Sequence, residues 1–353
     1  MIYLFTIGSL KVGGAERSVS RLVNHLAGMG SEVHLVLRKD EISFPLHPDV
    51  RVHILSGWNK GGKVRKIVQL RNALRRCIKE IDPDVSVGYT SLYSVILAAT
   101  LVRNVVIRFD VYPLTLKKWK RSLFFTFLNL PNVQRIVCIT SDTKTDLAPY
   151  FPKKQLEIIH NAALPEEAVV SQNEFSWPRR YFVGMARLVR TKGFQLTIQA
   201  FADSKAYRTH DFIILGDGGY RDRLQALCHK LGVEEYVHFL GYQKSPFPII
   251  AGADFFVHAS YREGFPNVLT EALSHGVPVI ATDCKTGPSE IIQEGRNGYL
   301  IPVGDVAGLA DKIELLCNNQ VRLGQLSSYA KSSVSRFSED IVFSRWEDML
   351  SSV

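Results

Sequence analysis

Short apolar runs alternate with amphipathic stretches along the whole chain. Runs rich in β-branched and aromatic residues stand at Ile2–Ile7, Val33–Leu37, Val50–Leu55, Val85–Tyr89, Asn104–Phe109, Arg135–Thr140 and Leu156–His160. They are too short for helices and mostly too continuously apolar for strands with one wet face, so they predict strands buried on both sides. Between them, Ala15–Gly28 and Val64–Ile81 repeat apolar residues at helical spacing. Strand followed by helix, repeated, predicts βαβ units and parallel sheets. The rhythm stops over residues 162–178, which are polar, acidic and Pro-containing and read as a linker. It restarts with Tyr181–Ala186, Phe212–Leu215, Val237–Leu240, Asp254–Ala259, Val277–Ala281 and Tyr299–Val303. Ser338–Val353 is a last amphipathic helix behind the Ser-rich residues 327–335. The expected architecture is α/β with two doubly wound domains, residues 1–161 and 179–335, facing a central cleft. Residues 336–353 are expected to pack back across the first domain. Ligands of such sheets bind beyond the carboxyl ends of the strands, so chemistry is sought in loops that follow strands.

Composition narrows the class. The 353 residues are 46% hydrophobic and 22% charged, with a mean hydropathy of +0.01, which excludes a disordered, collagenous or polytopic membrane chain. The longest apolar stretch, Val95–Val102, falls far short of the ~20 residues of a spanning helix. The first residues lack the basic start and long apolar core of a secretory signal. The five cysteines show no metal or disulfide spacing, so a reducing cytoplasm is expected. The net charge of +9 is uneven: residues 1–160 hold 24 basic and 12 acidic side chains, residues 161–353 hold 19 and 22. The first half is expected to be drawn to an anionic surface, the second not.

The most informative motif is Glu263-Gly-Phe-Pro-Asn-Val-Leu-Thr-Glu271, after the run Asp254–Ala259. Pro266 suits the first turn of a helix. Glu263 then lies in the loop before the helix and Glu271 within it, its side chain tilted back toward the same end. The helix start at residues 266–268, with the free N–H groups of Asn267 and Val268, suits a phosphate, and the two carboxylates suit neutral polyols on either side. Arg187 and Lys192 follow another strand, with Gly193 beside them. A guanidinium fork and an ammonium match a leaving diphosphate as it gains charge. Gly13 and Gly14 follow the first strand without the G-x-G-x-x-G spacing of an ordinary dinucleotide site. Gly216-Asp217-Gly218 ends a further strand and reads equally as a tight turn or as a nucleotide contact.

Together these segments resemble retaining glycosyltransferases of family 4, with their E-x7-E motif and two-Rossmann GT-B fold. The resemblance spans almost the whole chain, through Gly13-Gly14-Ala15-Glu16-Arg17, Gly184 to Gly193, Gly216-Asp-Gly218, Glu263 to Glu271 and Gly276-Val-Pro278. It implies a nucleotide-sugar donor, UDP-linked, as co-substrate, with no metal and no other cofactor. Arg187 and Lys192 would hold the diphosphate, Glu263 the donor sugar and the charge at its anomeric carbon, and Glu271 the ribose. Gly13, Gly14, Gly216, Gly218, Gly264, Phe265, Pro266, Asn267 and Val268 would complete the donor pocket. Many relatives carry a His after the fifth strand; here Asp110 stands in the corresponding run. It would hold a sugar hydroxyl or accept the acceptor's proton, or else cap its own loop.

Two basic clusters lie in the first half. Lys60, Lys63, Arg65 and Lys66 lead into a helix with Arg71, Arg75, Arg76 and Lys79. Lys117, Lys118, Trp119, Lys120 and Arg121 precede Phe124 and Phe125, a pattern suited to an element lying on anionic headgroups. No nucleic-acid motif accompanies them. With the resemblance, they imply a lipid-linked, polyprenyl-diphosphate acceptor and a peripheral position on the inner face of the cell membrane. The segment Thr282 to Glu290 resembles a variant found in bacterial polysaccharide-assembly enzymes. The expected activity is transfer of a hexose or N-acetylhexosamine to such a glycan in cell-surface polysaccharide (O-antigen) assembly. A GT-B UDP-sugar epimerase and an inactive GT-B partner subunit are the competing readings.

Overall fold

The computed structural model describes residues 1–11, 13–56, 62–110, 112, 114, 116–164 and 175–353, with the backbone alone at Ser91. The middle of the expected linker (165–174) and Lys60 of the basic run lie outside the described residues. The chain forms two compact units: Met1–Ala162 together with Asp340–Val353, and Ala163–Glu339. Each is an α/β, Rossmann-like domain.

The first unit is built on β1 (Ile2–Ile7), β2 (Glu32–Leu37), β3 (Val50–Ile54), β4 (Val85–Tyr89), β5 (Val105–Phe109), β6 (Val133–Cys138) and β7 (Gln155–Ile158). They lie in the order β3-β2-β1-β4-β5-β6-β7, and all are parallel. The chain reverses its winding between β1 and β4, the place where such sheets open a crevice. β4 and β5 are buried throughout, whereas edge strand β3 exposes Arg51 and Val52, as a strand with one neighbour can. One face packs against Val19, Leu22 and Leu26 of the helix Gly14–Gly28; the other packs against Leu70, Leu74 and Ile78 of the helix Lys63–Ile81. The return helix Glu339–Ser351 covers the first of these faces with Val342, Phe343, Trp346, Met349 and Leu350, an apolar stripe at helical spacing. Trp346 is 1% exposed, and truncating it to Ala would cost about 3–5 kcal/mol.

The second unit contains β8 (Arg180–Met185), β9 (His210–Leu215), β10 (Val237–Gly241), β11 (Phe256–His258), β12 (Val279–Thr282) and β13 (Gly298–Ile301). They run parallel in the order β10-β9-β8-β11-β12-β13, with the switch between β8 and β11. Phe182 stacks between Phe212 and Phe255, at 4.7 and 4.8 Å between ring centroids. At the amino ends of the strands, Arg180 and His210 both hold Asp254, at 2.8 and 2.9 Å. That cluster fastens the edge away from the crevice.

Most strand ends shift by one or two residues from the apolar runs, and at two strands the local cause is visible. β6 begins at Val133, two residues before the predicted start, and stops at Cys138 because Thr140 turns to cap the helix Ser141–Leu147, accepting the Thr143 N–H. β11 covers only Phe256–His258; Asp254, just before it, is held by Arg180 and His210 instead.

Candidate active site at the second switch point

The loops after β8 and β11 meet at the carboxyl edge of the second sheet. Lys192 ends a 3-10 turn, Arg190–Lys192, and Gly193 follows it at φ +71°. A Cβ on Gly193 would lie 1.8 Å from the Ala259 carbonyl oxygen, so only glycine lets this turn close onto the end of β11. The Tyr261 N–H and the Ser260 hydroxyl both donate to the Thr191 carbonyl, at 2.9 and 3.1 Å, and complete the seam.

This seam places the Lys192 Nζ 2.6 and 2.9 Å from the two carboxylate oxygens of Glu263. His258, the last residue of β11, donates from Nε2 to the Glu263 Oε1 at 2.7 Å. The His258 and Glu263 side chains are 4% and 9% exposed, Lys192 23%. Burial by itself would push the Glu263 carboxyl up; His258 and Lys192 reverse this and pull it down to about 2. Glu263 is therefore an anion at any physiological pH. Thr286 braces its loop, donating from Oγ1 to the Gly264 carbonyl at 2.7 Å, so the Thr282 to Glu290 segment supports the motif from behind.

Arg187 lies earlier in the β8 loop and is exposed, and its guanidinium makes no ion pair or hydrogen bond among the described residues. Its loop is held by the glycine turn after β9: the Leu188 N–H donates to Asp217 O at 2.9 Å, and Gly216 and Gly218 lie against the carbonyls of Ala186 and Leu188. Pro266 immediately precedes the helix Asn267–Ser274 instead of opening it, at φ −77° and ψ 86°. The helix itself starts at Asn267, with Val268 behind it. Phe265 is 7% exposed and turns its ring against Phe337. Glu271 is buried within the helix, 5% exposed.

Sequence reasoning missed His258. The signal was a polar residue at the end of an otherwise buried strand, five positions before Glu263.

In the first unit, Gly13 caps the helix that opens at Gly14, and Glu16 in its first turn reaches back over Gly13. Asp110 follows β5. Its Oδ1 lies 3.0 Å from the Arg108 Nε, an ion pair too bent for a full hydrogen bond, and its Oδ2 accepts the Thr90 N–H at 3.2 Å. Burial raises the Asp110 carboxyl, and Arg108 and Thr90 offset this only in part. Burial also raises Glu16, with added repulsion from Asp110.

The expected lipid-facing residues divide. Phe124 and Phe125 are core residues: Phe124 meets Phe109 edge-on at 5.5 Å and Phe125 meets Phe151 at 5.0 Å. They face the sheet because they lie on the buried side of the helix Lys118–Leu128. Its outer side shows Trp119, 65% exposed, and Leu123, 54% exposed, the latter not anticipated. Among the described residues, no helix is long and apolar enough to cross a membrane, and no group of three His, Cys, Asp or Glu side chains could hold a metal ion.

Both units match known families. Residues 12–166 match the model "Glycosyltransferase Family 4" and residues 167–333 match "Glycosyl transferases group 1". An N-acetylgalactosamine-N,N'-diacetylbacillosaminyl-diphospho-undecaprenol 4-alpha-N-acetylgalactosaminyltransferase of Campylobacter jejuni is 28% identical, over 95% of this chain and 94% of that protein. The lipopolysaccharide core biosynthesis glycosyltransferase LpsD of Rhizobium meliloti is also 28% identical, over 96% and 94%. Among solved structures, Anabaena HepE in complex with UDP and glucose superposes with a TM-score of 0.83 at 21% identity, covering 100% of both chains. Two glycosyltransferase models thus match adjoining stretches of the chain, one for each domain, and the protein is a glycosyltransferase with the GT-B fold.

Proposed function

We propose that the protein is a retaining, metal-independent glycosyltransferase that moves a hexose or N-acetylhexosamine from a UDP-sugar to a polyprenyl-diphosphate-linked glycan in polysaccharide assembly. The observation that carries this reading is the buried Lys192–Glu263–His258 group, with the exposed, unpaired Arg187 on the same loop as Lys192. Breaking a sugar–diphosphate bond needs positive charge where the diphosphate leaves and negative charge where the sugar becomes cationic. Lys192 and Glu263 touch, so the two demands are met at adjacent points. Arg187 grips the diphosphate, Lys192 shares its charge between Glu263 and the leaving oxygen, and the Glu263 anion faces the anomeric carbon. Glu271 holds the ribose. Asp110 orients a sugar or acceptor hydroxyl on the first domain.

Support for the donor comes from the HepE complexes with UDP and UDP-glucose, and support for the acceptor from the diphospho-undecaprenol in the Campylobacter enzyme's name. The first domain is read as the acceptor side, resting on an anionic membrane at the inner face. The helices Lys63–Ile81, Ser91–Ala98 and Lys118–Leu128 are neighbours in one layer. Their first turns expose Val64, Ile67, Leu92 and Trp119, and the helices Lys63–Ile81 and Lys118–Leu128 carry lysines and arginines beside these side chains. Apolar side chains ringed by cations suit an anionic headgroup layer.

The test is incubation with a panel of nucleotide sugars and a synthetic polyprenyl-diphosphate sugar, with and without EDTA, followed by mass spectrometry and NMR of the product. Transfer from a UDP-sugar with the anomeric configuration kept, undiminished by EDTA, is expected. An inverted product, dependence on a divalent ion, or sugar interconversion without acceptor would overturn the reading.

A further inference from the structure

Arg108 is the one charged residue in β5, between Ile107 and Phe109, and its side chain is 1% exposed. Alternation along the strand sends Val105, Ile107 and Phe109 to one helical layer and Val106 to the other. Arg108 shares the face of Val106 and so projects beneath the return helix. A guanidinium cannot shed its charge to relieve burial, so its surroundings must compensate it. Asp110, two residues on along the same face, is its carboxylate partner. The remaining compensation is polar and aromatic. Arg108 Nη1 donates to the Tyr89 hydroxyl at 3.0 Å and Nη2 donates to the Asn161 side-chain oxygen. The guanidinium carbon lies 4.9 Å from the Tyr89 ring centroid and 5.5 Å from that of Trp346.

These partners have a common location. The chain leaves the first unit after Ala162 and re-enters it at Asp340. Asn161 stands next to the exit, and Trp346 is in the helix that follows the re-entry. One buried cation thus touches residues beside both crossings and, at its other end, Asp110. We propose that Arg108 is a positioning residue, which fixes the Asp110 carboxylate only while the return helix is seated with Trp346 against it. Loosening the return helix withdraws the ring, lets water reach the guanidinium and frees Asp110 from its fixed orientation. This inference rests on the acceptor-side role given to Asp110 above.

The test is a double-mutant cycle in the full-length protein, combining Trp346→Leu with Asp110→Asn and reading kcat and donor KM for transfer. Trp346→Leu is expected to lower kcat about tenfold or more by misplacing the carboxylate, with donor KM within about twofold, because Arg187, Lys192, Glu263 and Glu271 lie in the other unit. In the Asp110→Asn background, the same substitution is expected to cost nothing further. Equal fold-losses in both backgrounds would mean that Trp346 acts on general stability, and would overturn the coupling while leaving the role of Asp110 intact. Wild-type turnover by Asp110→Asn would instead remove the role of Asp110 and this inference with it. Should Trp346→Leu fail to fold, Trp346→Phe, which keeps a ring, and Arg108→Lys, which keeps the charge but loses the fork, are judged by the same cycle.

Discussion

Glu263 and Asp110 make an instructive pair. Each follows a strand beyond the switch point of its sheet, and each is bound to a buried or half-buried cation. Their carboxyls nevertheless move in opposite directions, Glu263 down to about 2 and Asp110 up. Glu263 faces both Lys192 and His258 at hydrogen-bond distance. Among the described residues Asp110 has Arg108 as its one cation, shares it with Tyr89 and Asn161, and has the carboxylate of Glu16 nearby. Close opposite charge wins over desolvation in the first case and loses in the second. The lesson is that an ion pair's worth depends on what else its cation holds. The second unit keeps a permanent anion, the first a carboxylate whose charge is poorly compensated.

The largest effect that tests this contrast is at Lys192. Replacing it with Ala removes the charge paired with Glu263 and, on the proposed reading, the one facing the leaving diphosphate, and steady-state kinetics should show turnover reduced by ~10²–10³-fold. Near-normal turnover would sink the proposed role. Next is Glu271→Ala, for which calorimetry should show UDP affinity about tenfold weaker, the scale of a lost hydrogen bond to a charged group. Unchanged affinity would remove Glu271 from the ribose.

The same contrast can be read from stability against pH. A carboxyl held at about 2 in the folded state adds stability that is complete above the ordinary Glu range and is lost as pH falls toward 2. The gap in urea midpoint between the wild type and Glu263→Gln should therefore shrink over that window. For Asp110, raised on folding, the sign reverses: its ionisation weighs against the folded state as pH rises through the ordinary Asp range. Asp110→Asn should gain on the wild type over that rise, and parallel curves for the two variants would break the comparison.

The membrane reading predicts the smallest effects and separates the two faces of one helix. Trp119→Ser with Leu123→Ser should reduce sedimentation with anionic liposomes by several-fold at unchanged thermal stability, since both side chains are exposed. Phe125→Ala should instead lower the melting temperature, because its ring is core.

Much of this is legible in the sequence. The buried parallel strands announce themselves as unbroken apolar runs, and the glycines, Lys192 and Glu263 stand in loops that follow them. Less legible were residues whose meaning comes from distant partners. His258 and Arg108 each look like a polar interruption in an apolar strand, and only the folded sheet brings Glu263 to one and Asp110, Asn161 and Trp346 to the other. The sequence alone points Phe124 and Phe125 at lipid, because aromatic residues beside lysines look alike on either side of a helix. Helix phase decides, and Lys118–Leu128 turns them toward Phe109 and Phe151.

The account stands most directly on the claim that Arg187 and Lys192 receive the donor's diphosphate. Calorimetric titration with UDP and UMP, in the wild type and in Arg187→Ala with Lys192→Ala, isolates the extra phosphate from base and ribose. The wild type should bind UDP at least about tenfold more tightly than UMP, and the double variant should lose that preference while keeping its affinity for UMP. A UDP preference that survives removal of both cations would contradict the account.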